Sequence, residues 1–318
     1  MLRFLLRLSA FFLFSSVVYV VVLTFLPRPM PYRVLRNLNV PLGGNGHNYT
    51  RLQEADRPGD PEILILGSSS AYRGFDPRVF AARGYRSFNL GSSSQTPIQS
   101  EVLLHRYLKT HTPRTVLMEV APLGLDLSIL EGTLDLVTNA PVDVPTFELV
   151  VDAGNIRAWN AGIHALGKQL LWGPVRTTEM ADNGLDRYIP GGYVERRMSH
   201  YSPVRGKDEP IVMAPEQLEA LERIKATLDG RGIQLILVEA PVTKVHSSTY
   251  IGHDRYVACM RAIAPFINMN GVLPLDDSLH FYDPFHLNQT GVEMFDRALL
   301  DTLDRTGQLP PPSLRNEN

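Results

Sequence analysis

The sequence predicts an α/β fold in which a central parallel sheet carries helices on both faces, with one membrane helix ahead of it. Short apolar runs that read as buried strands alternate with segments of helical periodicity, which is typical of parallel sheets. The amino-terminal segment is strongly apolar. A chain of 318 residues can bury one substantial core, and its length alone allows one domain or two. We expect one domain with a large insertion.

Residues 1–26 are expected to form a transmembrane signal anchor. The stretch 8–26 carries no charged side chain, and at ~1.5 Å per residue it is long enough to cross the hydrocarbon core. A Pro- and Arg-rich segment follows instead of a small-residue cleavage site, so we expect the anchor to remain uncleaved. Its orientation is not decided by charge, because arginines flank both ends: Arg3, Arg7, Arg28, Arg33 and Arg36. We expect the domain to lie outside the cytoplasm, since a long domain can be translocated despite nearby charge.

Composition sets the remaining boundaries. Residues 27–60 are rich in Pro, Gly, Asn and Arg and predict a membrane-proximal linker with little regular structure. The domain is expected at 61–306, and the Pro-rich tail 307–318 is predicted to be disordered. Between about 123 and 213 the alternation of strands and helices breaks, which indicates an insertion.

The elements of the predicted domain follow from periodicity and helix-stop signals. Strands are expected at 63–66, near 88–90, at 115–120, at 234–238 and at 272–275, and helices at 77–83, 97–110 and 215–228. Ligands of such sheets gather beyond the carboxyl ends of the strands.

The insertion shows helical patterns near 142–172 and then a run rich in Gly, Pro and Arg at 173–210. Its aromatic residues are suited to stacking on a sugar, but aromatics in an insertion more often pack into its own small core. They are Trp159, Trp172, Tyr188, Tyr193 and Tyr201. We assign none of them a ligand contact.

Two segments supply the residue types of nucleophilic catalysis. Ser69 follows the first strand directly, and Asp283 and His286 lie three residues apart ahead of a helix, for which Thr290 and Glu293 predict a capping box. A serine hydroxyl is a poor nucleophile without a base that is itself oriented by a third group. The alternative for Ser69, and for its neighbours Ser68 and Ser70, is a turn or helix-cap serine.

The order Gly67-Ser-Ser69, then Gly91 after the second strand, then Asp283-Pro-Phe-His286 resembles the SGNH or GDSL-like hydrolase superfamily. The resemblance covers about 56–120 and 214–306, and it implies a three-layer fold. Within the superfamily, the chain resembles the membrane-anchored branch. This branch includes the polysaccharide O-acetyltransferases of the alginate acetylation type and the D-alanyl transfer proteins. The third block of the superfamily, Gly-x-Asn-Asp, has no match, because the third strand runs into Glu119-Val-Ala-Pro122.

The resemblance implies roles for individual residues. Ser69 would be the nucleophile, His286 its base and Asp283 the group that orients the imidazole. The backbone N–H groups of Ser69 and Gly91 would form the oxyanion hole, with Asn89 in place of the missing third-block donor. Glu119, at the end of the third strand, is expected either to bind a substrate hydroxyl or to pair with an arginine such as Arg73.

Other chemistries find no motif. Ala71 stands where Gly-x-Ser-x-Gly needs its second glycine, and the chain has no His-Glu-x-x-His. We expect no metal and no cofactor. The chain's single cysteine, Cys259, precludes a disulfide within the chain. With 31 basic and 33 acidic side chains, composition gives no electrostatic reason to expect nucleic-acid binding.

Together with the membrane helix, the resemblance implies a membrane-anchored enzyme of acyl transfer, since fold and triad alone do not distinguish transfer from hydrolysis. The expectation is O-acetylation of a cell-envelope or exported polysaccharide through an acyl-enzyme on Ser69, at the outer face of the inner membrane, with the acyl donor supplied by a membrane acyltransferase partner. The alternatives are a secreted or periplasmic esterase and a non-catalytic scaffold of a polysaccharide export complex.

Overall fold

A computed structural model describes residues 1–25, 46–57, 59, 61–173, 177–197 and 201–312. Its strands are β1 (Ile63–Leu66), β2 (Ser87–Asn89), β3 (Thr115–Glu119), β4 (Asp182–Asn183), β5 (Asp186–Ile189), β6 (Tyr193–Arg196), β7 (Glu209–Pro210), β8 (Gln234–Glu239), β9 (Tyr250–Ile251) and β10 (Phe266–Asn268). Its α-helices are α1 (Leu2–Phe25), α2 (Asn48–Ala55), α3 (Ser69–Gly74), α4 (Pro77–Ala82), α5 (Pro97–Tyr107), α6 (Leu130–Asn139), α7 (Val144–Asp152), α8 (Ile156–Trp172), α9 (Pro215–Asp229), α10 (Lys244–Ser247), α11 (His253–Ile263) and α12 (Gln289–Arg305).

The centre of the fold is a five-stranded parallel sheet in the order β10-β8-β3-β1-β2. Strands β1 and β3 are buried along their whole length, as expected for near-continuous apolar runs covered on both faces. Helices α5, α9 and α11 pack on one face, and α3, α4 and α12 pack on the other. The predicted α/β fold with a parallel sheet between two helical layers is therefore confirmed.

One predicted strand is wrong. Residues 272–275 form no strand, and the edge strand next to β8 is β10 instead, where Ile267 pairs with Val238. Gly271, with φ of 72°, turns the chain after β10, and Val272 beyond it is 54% exposed. Only Leu275 of this segment is buried in the core, so the run does not take the fully buried position of a sheet strand.

The insertion contributes two substructures. The helices expected near 142–172 are α7 and α8, with α6 ahead of them, and part of the Gly-, Pro- and Arg-rich run forms the antiparallel sheet β4-β5-β6. Tyr188 and Tyr193 of this sheet are buried. These two rings pack within the protein and do not form a surface for stacking on a sugar.

The predicted linker and tail are both partly structured. Within 27–60, α2 packs against the domain, and its Arg51 is fully buried with hydrogen bonds to the carbonyl oxygens of Gly46 and Gly192 (both 2.8 Å). In the tail, Leu309 is buried in the core and the carbonyl of Pro311 accepts a hydrogen bond from Arg114. The prediction of little regular structure is therefore wrong for 48–55, and the prediction of disorder is wrong at Leu309. Residues 27–45, 58, 60 and 313–318 lie outside the described residues.

Helix α1 is long and apolar enough to cross a membrane. Its 24 residues extend over about 36 Å. Most of its side chains are exposed, and only Leu23 and Thr24 near its end are buried.

Candidate active site

Ser69, His286 and Asp283 form one hydrogen-bonded series. The Nε2 atom of His286 lies 2.8 Å from the Ser69 hydroxyl oxygen, and its Nδ1 atom lies 2.7 Å from Oδ2 of Asp283. All three side chains are partly exposed, at the carboxyl end of the parallel sheet. The fold thus brings together the three residues that the sequence had singled out from its two ends.

Ser69 is positioned by the turn between β1 and α3. Gly67 adopts φ of 138°, and a Cβ there would lie 2.7 Å from the Cβ of Glu119, so this turn requires glycine. Ser68 caps α3, since its hydroxyl accepts a hydrogen bond from the backbone N–H of Ser70. Ser69 is therefore the first residue of the helix, and its N–H has no carbonyl partner within the helix.

The loop that carries His286 is held by Asp283 itself. Oδ1 of Asp283 accepts hydrogen bonds from the backbone N–H groups of Phe285 and His286 (both 2.8 Å), while Oδ2 faces the imidazole. Helix α12 begins at Gln289 with Asn288 as its cap, so the capping box predicted from Thr290 and Glu293 is wrong by two residues. The shift leaves His286 in a tight loop directly ahead of the helix.

Neighbouring groups fix the imidazole ring and the charge of its carboxylate partner. The Tyr282 ring stacks on His286 with centroids 5.4 Å apart and an angle of 4° between the planes. Burial by itself raises the pKa of Asp283, but the hydrogen bond from His286 and the backbone N–H donors outweigh it and hold the pKa below its ordinary value. Asp283 is therefore an anion oriented toward Nδ1, which favours the tautomer with the proton on that nitrogen.

The series opens into a cavity of about 330 Å³. Its wall is lined by Gly46, Ser69, Tyr72, Arg73, Ser93, Arg196, Tyr282, Asp283 and His286. Two apolar cavities of about 320 and 420 Å³ lie near α2, and neither is lined by a serine or cysteine. The polar cavity is the one that holds a nucleophile next to a base.

Two arginines make one side of this cavity positive. Arg73 of α3 binds both oxygens of Asp186 (2.9 Å each), and Arg196 of β6 binds the same carboxylate at 2.8 Å. Although burial raises the pKa of Asp186, the hydrogen bonds and charges of the two guanidinium groups hold it below its ordinary value. On this side of the cavity one carboxylate therefore faces two cations, while the anion Asp283 belongs to the catalytic series.

Glu119 lies beneath the site and does not line the cavity. Its Oε2 accepts hydrogen bonds from the N–H (3.0 Å) and the hydroxyl (2.9 Å) of Ser68, and the side chain is buried. The predicted pair with Arg73 is wrong, because Arg73 binds Asp186. Glu119 is also buried outside the cavity lining, away from where a substrate hydroxyl would lie. Glu119 holds the turn that carries Ser69.

Replacement of Glu119 by Gln is expected to make stability less dependent on pH. Burial raises the pKa of Glu119 to about 7, although the two hydrogen bonds from Ser68 lower it. A group whose pKa is raised in the folded state stabilises the fold when it is protonated. This stabilisation is complete at pH values below the ordinary glutamate pKa and is lost as pH rises through 7. The free energy of unfolding of Glu119→Gln, measured relative to that of wild type, should therefore rise by roughly 2–3 kcal/mol between pH 4 and pH 8.

Thermal melting of the two proteins across this pH range measures the effect. The exposed Glu222 of α9 supplies the control, since Glu222→Gln should leave the pH dependence unchanged. An equal difference in Tm between Glu119→Gln and wild type at both ends of the range would contradict the assignment.

The predicted oxyanion donors need correction. Asn89 is fully buried, and its amide N–H groups donate to the carbonyl oxygens of Ala71 (2.8 Å) and Phe75 (3.1 Å). Its side-chain oxygen accepts the N–H of Gly91 at 3.1 Å. Asn89 and Gly91 therefore brace α3 from below, and neither offers a donor to the cavity.

Gly91 has a packing role. A Cβ on it would lie 2.9 Å from the Cβ of Ala71 and 3.0 Å from the backbone N of Tyr72, so the chain passes against α3 only where no side chain intervenes. The next residues form a turn in which Ser94 has φ of 49° and Ser93 reaches the cavity wall. Ser93, and not Gly91, is therefore the residue of this segment that lines the cavity.

Several site residues were missed by sequence reasoning. Arg196 and its partner Asp186 lie in the insertion, and no local pattern marks them. Tyr282 directly precedes the Asp283 motif, which was a usable signal. His253 lies 2.9 Å from Glu239 and does not line the cavity. Among the described residues, no group of three His, Cys, Asp or Glu side chains is arranged to hold a metal.

Comparison with known proteins yields likeness of structure alone. No protein-family model matches the chain, and no curated protein matches it either. Solved structures that it resembles include a GDSL-like lipase from Bacteroides thetaiotaomicron (12% identity, 81% of this chain and 98% of that one, TM-score 0.41). A putative acylhydrolase from Bacteroides fragilis is similar at 13% identity (80% and 94% covered, TM-score 0.37). An acetyl xylan esterase from Butyrivibrio proteoclasticus is similar at 8% (80% and 66%, TM-score 0.33). At these values the function has to be argued from the chain's own geometry.

Proposed function

We propose that this protein transfers acyl groups through an acyl-enzyme on Ser69. The observation that carries the proposal is the hydrogen-bonded series from Ser69 through His286 to Asp283, with distances of 2.8 and 2.7 Å. It supplies a nucleophile, a base in contact with it and an anion that orients the base. The series lines an open polar cavity, where a substrate can reach the hydroxyl.

In the proposed reaction, the Ser69 oxygen attacks the acyl carbonyl while its proton passes to Nε2 of His286. The imidazolium is stabilised by Asp283 and then protonates the leaving alkoxide. The N–H of Ser69 and the turn around Ser93 are the donors proposed for the oxyanion. The incoming acceptor then gives its proton to His286, and its oxygen bonds to the acyl carbon. As the bond from the acyl carbon to Ser69 breaks, the imidazolium returns the proton to the Ser69 oxygen.

The positive wall bears on the acceptor. Arg73 and Arg196 share the single carboxylate of Asp186, so an acceptor with a negative group would be attracted to this side of the cavity. We therefore propose O-acetylation of an anionic envelope or exported polysaccharide, such as a uronic-acid polymer. The acyl donor would come from a membrane acyltransferase that delivers activated acyl groups next to α1.

An acceptor experiment separates transfer from hydrolysis. The full-length protein in detergent is given a chromogenic acetyl ester together with a uronic-acid oligosaccharide or a neutral oligosaccharide of equal length. We expect acetylated oligosaccharide in the mass spectrum, with the uronic acid modified faster. Release of acetate to water alone, with neither oligosaccharide modified, would instead assign the protein as an esterase.

The domain is proposed to lie on the outer side of the inner membrane, held by α1. An alkaline phosphatase fused to the carboxyl terminus of the full chain should be active, because the phosphatase reporter folds only after export from the cytoplasm. An inactive phosphatase, together with an active cytoplasmic reporter at the same position, would contradict this orientation.

A further inference from the structure

The end of α1 is bound to α8 of the insertion by specific contacts. The Tyr19 hydroxyl donates to Asn160, and Nδ1 of His164 lies 2.9 Å from the carbonyl oxygen of Leu23. A Cβ on Gly167 would lie 2.5 Å from Oγ1 of Thr24, so the two helices approach only because this residue is glycine. Asn160, His164 and Gly167 recur at helical spacing and form one face of α8. These contacts hold α8 against α1 and therefore fix the orientation of the domain relative to the α1 axis.

Next to this face, α8 presents an unbroken apolar stripe. Its members recur every three or four residues: Ile156, Trp159, Ile163, Leu166 and Leu170. The end residues Ile156 and Leu170 are 64% and 74% exposed, and the middle three are partly exposed. The face of α8 that contacts α1 lies between this stripe and the basic residues Arg157 and Lys168. The stripe itself therefore carries no charge.

Helix α7 extends this surface. Its exposed residues Val144, Phe147 and Val151 recur at helical spacing, with the exposed Glu148 and Asp152 along one edge. The Phe147 ring contacts Trp159 edge to face, with centroids 5.7 Å apart. We name the stripe of α8 together with these three residues of α7 the α7–α8 apolar face.

The depth of the α7–α8 apolar face follows from the α1 contact. Tyr19, which binds the first half of α8, lies six residues before Phe25, or about 9 Å along the helix axis. At the other end, Trp172 contacts Phe25, with ring centroids 5.6 Å apart. Amphipathic helices at membrane surfaces bury their apolar side by about 5–10 Å. The face thus lies at the level of the last turns of the apolar helix α1.

We propose that the α7–α8 apolar face is immersed in the lipid interface of the membrane that α1 crosses. Lipid is the occupant that this geometry favours, because the face is continuous with the exposed apolar surface of α1 and uncharged where the two meet. The consequence is that the side of the domain that carries α7 and α8 rests against the bilayer. The inference depends on α1 being in the membrane and not on the chemistry of Ser69.

The two tryptophans of the chain give a direct test, since both lie on α8. In Trp172→Phe, the remaining Trp159 reports on the α7–α8 apolar face. In Trp159→Phe, the remaining Trp172 reports on the end of α1. Each full-length variant is reconstituted into phosphatidylcholine vesicles whose acyl chains are brominated either close to the headgroup or close to the bilayer centre.

Trp159 should show blue-shifted emission that is quenched more by the shallow bromines than by the deep ones, and little by iodide in the water. Quenching by iodide without quenching by brominated lipid would overturn the proposal. If Trp159 is shielded from both quenchers, a second copy of the chain covers the face, which also overturns it. Trp172 quenched by bromine while Trp159 is not would place α1 in the bilayer and reject immersion of the face. Thermal melting equal to wild type shows that both variants are folded. Failure of the proposed activity, with Trp159 still quenched by lipid, would leave this inference intact.

Discussion

Replacement of Ser69 by Ala is expected to lower kcat for ester hydrolysis by about five to six orders of magnitude. The hydroxyl is the proposed site of the covalent bond, and loss of a triad serine removes the whole covalent route. The hydrogen bond described for this side chain is the one to His286, so the fold should be unaffected. Steady-state hydrolysis of a chromogenic acetyl ester, with thermal melting of the same samples, measures both effects.

Ser68 provides the matched control one residue away. Its hydroxyl caps α3 and donates to the buried Glu119, so Ser68→Ala should lower the free energy of unfolding by roughly 1–3 kcal/mol. Its activity should remain within about tenfold of wild type, because the hydroxyl does not face the reaction. If Ser68→Ala were inactive and folded while Ser69→Ala stayed active, the nucleophile would be misassigned.

Replacement of Asp283 by Asn is expected to lower kcat about 10⁴-fold with little change in Tm. An amide keeps an oxygen for the backbone N–H groups of Phe285 and His286, so the loop is preserved. It places an NH₂ group against Nδ1 of His286, which favours the wrong tautomer and no longer stabilises the imidazolium. The pH dependence of ester hydrolysis for the purified variant measures the loss.

Asp277 serves as the control for this change. It also accepts backbone N–H groups, from Lys244 (2.8 Å) and Val245 (3.0 Å) at the start of α10, and it does not line the cavity. Asp277→Asn should retain wild-type turnover. Turnover above one tenth of wild type in Asp283→Asn would remove this carboxylate from the mechanism.

Most of the sheet could be predicted from the sequence because its central strands are short runs of almost entirely apolar residues. The run Ile63–Leu66 is apolar throughout and buried on both faces, so its predicted and observed bounds agree. Strand β10 was missed because it has three residues, follows Pro265 and ends in a polar Asn268. Helix α2 was missed because its formation depends on tertiary contacts of Arg51, which a polar, weakly periodic segment does not reveal.

The site divides along the same line. Ser69, Asp283 and His286 belong to short motifs at element boundaries, so local sequence was enough to select them. The direction of Glu119 was not predictable, since β3 is buried on both faces and alternation cannot say which neighbour a carboxylate meets. Arg196 reaches the cavity, with Asp186 bound to it, only because β6 packs against α3, which is a property of tertiary packing.

The most direct test of the account is covalent labelling of the full-length protein in detergent with a serine-directed phosphonate, read by intact and peptide mass spectrometry. The account predicts a single adduct on Ser69, present in wild type and in Ser68→Ala and absent from Ser69→Ala. No adduct under conditions that label a known serine esterase, or an adduct that persists in Ser69→Ala, would contradict the claim that Ser69 is an activated nucleophile and would favour a non-catalytic scaffold.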